Sequence, residues 1–161
     1  MAAQRWYVFG LVVFLAACNN SEKLQEQIDS LQTQSVNTYK PGFGEFMLNI
    51  QIHHAKLWFA GKNKNWKLAE FELNEITETL EAIQKYEKER KEIQSLPVVH
   101  PAMDSVKSAI SQQNLNLFLR SFTFLTNTCN ACHQSVKFDF NVVQIPSSPP
   151  FTNQNFSGRL K

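Results

Sequence analysis

The residues of this 161-residue chain best suited to chemistry are five neighbours, Cys129-Asn130-Ala131-Cys132-His133. C-x-x-C-H is the spacing of a haem attachment site. Two thiols three residues apart on a helix share one face, so Cys129 and Cys132 can both add to the vinyl groups of one porphyrin. His133 follows on that face as the proximal iron ligand. The motif therefore predicts one covalent haem c. Three other uses of the same residues compete. A thiol redox pair is expected beside a βαβ pattern, and no strand-helix-strand run precedes this one. Zinc needs two further ligands, which His53, His54 or His100 could supply, but the chain holds no second paired ligand motif. Two buried structural thiols are the third alternative.

The third cysteine, Cys18, closes the run Leu15-Ala16-Ala17-Cys18 after an apolar stretch, Tyr7 to Ala17, that follows Arg5. A positive start, a short apolar core and small residues before a cut form a secretory signal. The apolar run is short for a membrane-spanning helix. Its last four residues resemble a bacterial lipobox, which implies a signal peptide over 1–17 and a lipid on Cys18. Export to the periplasmic side agrees with the motif, because bacterial haem c attachment takes place outside the cytoplasmic membrane. A formal charge of +2, with bases and acids interspersed, gives no stripe for nucleic acid.

These residues must be positioned by helices. With 43% hydrophobic residues and only 5 Gly and 6 Pro, the chain has the composition of one globular domain built from long helices. Residues 18–42 are polar with a thin apolar stripe and read as a tether, ended by Pro41-Gly42-Phe43-Gly44. Three- and four-residue apolar steps predict helices over Phe43 to Ala60, Asn65 to Ser95, Pro101 to Gln112 and Asn114 to Val136. Gly61 and Asn63 are the expected stop of the first. The charged run Lys85 to Glu92 reads as a solvated face of the second. Short connections between four amphipathic helices predict an all-α, antiparallel up-down-up-down bundle over 43–138. The end of the last helix then lies beside the start of the first. Phe46, Ile50 and Leu57 from the first helix, with Phe122 and Leu125 from the last, are the expected haem pocket. Residues 139–161 contain three prolines and cannot be a helix; their aromatic content predicts an irregular arm packed back over the bundle.

The stretch Met103-Asp104-Ser105-Val106-Lys107-Ser108-Ala109-Ile110, with Phe118, Phe122, Leu125-Thr126 and the C-x-x-C-H motif, resembles the class II c-type cytochromes, cytochrome c′ and its low-spin relatives. The resemblance covers roughly residues 100 to 138. It implies a four-helix bundle with haem c near the end of the last helix, Cys129 and Cys132 forming thioethers and His133 the proximal bond. Two features depart from it. The family usually stops soon after the motif, whereas this chain runs on to Lys161. Where the low-spin relatives carry a methionine on the first helix, this one offers three distal candidates: His54 near the middle of the apolar side, then His53 near its edge, both deeper in the bundle than the third, Met47.

Two imidazoles would give a lower potential than imidazole with thioether. The expected function is a lipid-anchored monohaem cytochrome that carries electrons between a donor and an acceptor protein outside the cytoplasmic membrane. No nucleophile-base pair suggests an enzyme. The alternatives are a cytochrome c′-like protein that binds or handles gases at an open distal site, and a haem-bearing interaction subunit of a larger redox complex. Self-association into a homo-oligomer is compatible with either.

Overall fold

Apolar residues at helical spacing fold into helices wherever the stripe is unbroken, and the chain stops being helical where it fails. The computed structural model describes residues 21–34 and 41–158. The expected signal peptide and Cys18 lie outside them. Residues 21–34 form a helix, α1, within the stretch read as a tether. Its polar side chains bond locally, Gln25 to Asp29 and Thr33 to the Asp29 carbonyl. A separate compact unit begins at Pro41. It contains α2 (Phe43–Lys62), α3 (Trp66–Tyr86), a 3₁₀ segment (Lys91–Val99), α4 (His100–Ser111) and α5 (Leu115–Ser135). The described residues are all-helical, with no strand. No helix among them is long and apolar enough to cross a membrane.

α2 and α3 are joined by Asn63-Lys64-Asn65, α4 and α5 by Gln112-Gln113-Asn114, and the two turns are built alike. In each, the middle residue takes a left-handed conformation, with φ of 59° at Lys64 and 50° at Gln113. The amides of the last two residues then bond back to the helix, Lys64 to Gly61, Asn65 to Ala60, Gln113 to Ile110 and Asn114 to Ala109. This double bond satisfies carbonyls that a helix end leaves open. The closing asparagine at once caps the next helix, Asn65 accepting from Leu68 N and Asn114 from Leu117 N.

Two expected boundaries are corrected. α2 does not stop at Gly61 but runs through it to Lys62. Gly61 is there for packing: a Cβ at this position would lie 2.1 Å from Phe118 Cζ of α5. The second helix ends at Tyr86 instead of Ser95. Beyond Ile83 the core-facing positions fall on Glu87 and Arg90, so nothing apolar holds another turn against the core until Ile93. The charged run is therefore a turn leading into the 3₁₀ segment, where Arg90 pairs with Glu92 at 3.1 Å and lies over the Phe43 ring.

The core is one cluster shared by all these elements, with Leu57, Ile83, Val106, Phe118 and Phe122 inaccessible to solvent. Contacts between α2 and α5 form a ladder: Gly61 against Phe118, Trp58 against Phe122, and His54 against Thr126. The arm does pack back. Its Val143 meets Asn130 of α5, and Phe156 is buried against Phe59 of α2, ring centroids 5.7 Å apart.

Gly61 and Lys64 should respond to substitution in opposite ways. Gly61→Ala forces Phe118 to move and is expected to cost about 1–3 kcal/mol, with Phe118→Leu in the same chain recovering part of it. Lys64→Gly relieves the left-handed backbone and should raise stability by up to about 1 kcal/mol. Urea unfolding of the three variants measures both.

Candidate haem site

The last three turns of α5 carry Leu125, Cys129, Cys132 and His133 to the wall of a cavity of about 270 Å3. The first three turns of α2 bring Phe43, Met47, Ile50 and His54 to the same cavity; Ile76 and Leu80 of α3 and Leu96 of the 3₁₀ segment complete its apolar side. Phe138, Asn141 and Val143 of the arm form one edge. Small-molecule and cofactor sites commonly measure about 300–1,000 Å3. This one lies just below that range, and exposed Gly44, Leu48 and Gln51 form part of its rim.

Cys129 and Cys132 are free thiols. Burial, with a smaller contribution from Cys132, pushes the Cys129 thiol up to about 11, and burial raises Cys132 as well. Both are protonated at neutral pH. A redox C-x-x-C pair needs the opposite, a thiol whose charge is stabilised so that thiolate forms. The zinc alternative lacks its ligands, since no group of three or more His, Cys, Asp or Glu is gathered among the described residues. A haem centre needs no such group.

His133 is held by its own chain. Its Nδ1 lies 2.7 Å from the Asn141 carbonyl oxygen, which can only accept, so Nδ1 carries the proton. In the neutral ring Nε2 then keeps the lone pair, the state an iron ligand requires. The turn after α5 makes this contact possible. Lys137, with φ of 64°, bonds back to Gln134 O, and Phe138 to His133 O, reversing the chain toward the cavity.

On α2, His54 is only 3% exposed and packs against Phe122, with ring centroids 4.4 Å apart and the planes tilted by 34°. Its Nε2 lies 2.9 Å from Thr126 Oγ1, whose own proton is donated to the Phe122 carbonyl. The hydroxyl therefore accepts, and His54 carries its proton on Nε2. Burial lowers its pKa from 6.5 to about 4, so the ring is neutral at neutral pH. Met47, also on the cavity wall, is half-buried, and among the described residues none hydrogen-bonds its thioether. His53 is turned elsewhere. Its Nδ1 donates to Glu72 Oε2 of α3 at 2.6 Å, and Lys56 Nζ sits 2.8 Å from Glu72 Oε1 as an ion pair without hydrogen-bond alignment.

Of the residues singled out from sequence, Met47, Ile50, His54, Leu125, Cys129, Cys132 and His133 share the cavity wall. Phe46, Leu57 and Phe122 lie in the core behind it, and His53 belongs to the α2–α3 charge cluster. Thr126, Asn130 and Asn141 were not anticipated. Nothing in periodicity marks them, because each acts through directional hydrogen bonds, two at Thr126, two at Asn130 and one from the Asn141 carbonyl. The residues fit covalent haem: two neutral thiols and an imidazole lone pair at one end of an apolar slot. No known protein family, characterised protein or solved structure matches the chain.

The His54 shift fixes the sign of a pH dependence. Because folding lowers this pKa, the unfolded chain takes up a proton that the folded one resists, and stability falls as pH drops from 6.5 through about 4. The loss attributable to His54 should reach about 3 kcal/mol. His54→Gln, which keeps a donor for Thr126, should remove that component from urea unfolding curves recorded between pH 7 and 4.

Proposed function

We propose that this chain is an exported, lipid-anchored monohaem c-type cytochrome that passes electrons between protein partners outside the cytoplasmic membrane. The observation that carries the reading is one cavity walled by Cys129, Cys132 and His133 from α5 and by Met47 and His54 from α2. Cys129 and Cys132 would hold the porphyrin by thioethers, and His133 would bind iron through Nε2. When bound, haem supplies a one-electron ferric–ferrous couple. The apolar walls from α2, α3 and α5 limit water around it, which favours a stable coordination over exchange with solvent.

The expected up-down-up-down order of helices belongs to this reading. Its support is the α2–α5 ladder, in which contacts move down α2 from Gly61 to Trp58 to His54 as they move up α5 from Phe118 to Phe122 to Thr126. The tether and the lipid on Cys18 would hold the domain at a membrane surface.

For the sixth ligand the geometry favours Met47 over His54. Reaching iron through Nε2 would take His54 away from Thr126 and require its proton to move to Nδ1. Met47 has no such bond to break among the described residues. Imidazole with thioether also holds a higher potential than two imidazoles, because the thioether favours the ferrous state. The carrier is then of higher potential than a bis-histidine protein would be.

Absorption spectra of the exported protein, oxidised and dithionite-reduced, with and without carbon monoxide, test the reading. A covalent low-spin haem indifferent to carbon monoxide is expected. Met47→Ala should turn it high-spin and carbon monoxide-binding, while His54→Gln should remain low-spin. A wild-type spectrum that is already high-spin and shifts with carbon monoxide would favour the gas-binding alternative. A protein without covalent haem would sink the proposal.

A further inference from the structure

The arm beyond the motif is fastened to the motif itself. Asn130, the first residue between the two cysteines, makes a two-point clasp with one residue of the arm: its Nδ2 donates to the Val143 carbonyl at 2.9 Å, and its Oδ1 accepts from Val143 N at 2.8 Å. A side-chain amide is here paired with backbone as two strands would pair. The pairing works in one amide orientation only, so it fixes both the side chain and the arm. Two residues earlier in the arm, Asn141 offers its carbonyl to His133 Nδ1 at 2.7 Å. The chain between these contacts is short, and the turn at Lys137 anchors its other end. The Asn141 carbonyl thus sits between two fixed points, one on each side along the chain.

We propose that Asn130 is a positioning residue which, by clasping Val143, holds the Asn141 carbonyl on His133 Nδ1 and so sets the reduction potential of the iron. This rests on His133 being the iron ligand. The direction follows from the chemistry. An Nδ1–H donated to a carbonyl leaves more electron density at Nε2 and makes it a stronger donor. A stronger donor stabilises ferric iron more than ferrous and lowers the potential. Releasing the carbonyl raises it. The role falls to residues that a bundle ending at the motif would not have: without 141–143 there is no such acceptor.

The test uses the haem-loaded protein and three variants. Asn130→Ala removes the clasp from the helix side. Val143→Pro removes the N–H that Asn130 accepts and leaves the attachment motif intact, so it decides the matter if the first variant is not loaded with haem. Phe156→Ala frees the far end of the arm from Phe59 and serves as the control for loosening alone. Outer residues of a metal site commonly change its properties about 10–100-fold. At the lower end, the ferric-to-ferrous equilibrium should shift about tenfold toward ferrous in both clasp variants, a rise of about 59 mV for one electron. Amide exchange at Val143 should quicken in Asn130→Ala, and Phe156→Ala should keep the wild-type potential. If the clasp variants lose protection around residue 143 but keep the potential of Phe156→Ala, the inference is overturned while the haem reading stands. Absence of a covalent Soret band in the wild type would overturn the haem reading instead.

Discussion

The close approach of α5 to α2 at Gly61 is the constraint on which the rest of the site depends. Phe118 can lie on the α2 backbone only because no Cβ stands there. Once that contact is made, the relative register of the two helices is set, since each residue down α2 is matched by one up α5. His54 meets Thr126 at the next rungs. Further steps of three or four residues along each helix reach Ile50 and Met47 on α2 and Cys129 and Cys132 on α5, and all four line the cavity. A side chain at Gly61 would push the helices apart or slide them, and the cysteines would then face different residues of α2. The glycine is therefore remote from the chemistry but sets its geometry.

The same residue explains what could be read in the sequence and what could not. The motif, the apolar stripes and the number of core helices are properties of spacing, and spacing is visible in one dimension. Helix ends in this chain are governed by something else. Gly61 has the composition of a stop signal but is used for close packing, while the left-handed stop positions are filled by Lys64, Gln113 and Lys137. Hydrogen bonds from the following residues hold these turns, and a lysine's strain there is small beside the bonds gained. The charged run after Tyr86 misled for a related reason. A helical pattern of charges is favourable in isolation, but tertiary packing supplies most helix stability, and this run has no apolar residue to pack.

The choice of a proposed distal ligand shows a second limit of sequence reading. By position on the apolar face, His54 is more central than Met47, and a histidine near iron is a natural ligand. What changes the balance is a single hydroxyl. Thr126 spends its only proton on the Phe122 carbonyl, so it can meet His54 only as an acceptor. That assigns the His54 proton to Nε2 and gives the ring a role in joining α2 to α5. Ring contact with Phe122 and nearly complete burial add to the same role. A buried neutral histidine so engaged is already satisfied within the core. The low pKa follows from that burial and not from any charged neighbour.

At His133, the proposed proximal ligand, the logic is reversed, because the bonding partner lies outside the helices. Helix α5 ends with His133 in its last turn, where backbone carbonyls of the preceding residues are already committed to the helix. An acceptor for Nδ1 must come from chain that follows. The turn at Lys137 supplies that chain by returning it toward the cavity, and Asn130 supplies a fixed point for it on the helix. His133, turn, acceptor and clasp all fall between residues 130 and 143, so they form one local unit that needs no other part of the bundle to stay in register. This accounts for a feature that a four-helix bundle alone leaves unexplained. The arm begins as the missing half of the histidine's environment, and only beyond Val143 does it become a strap that reaches Phe59.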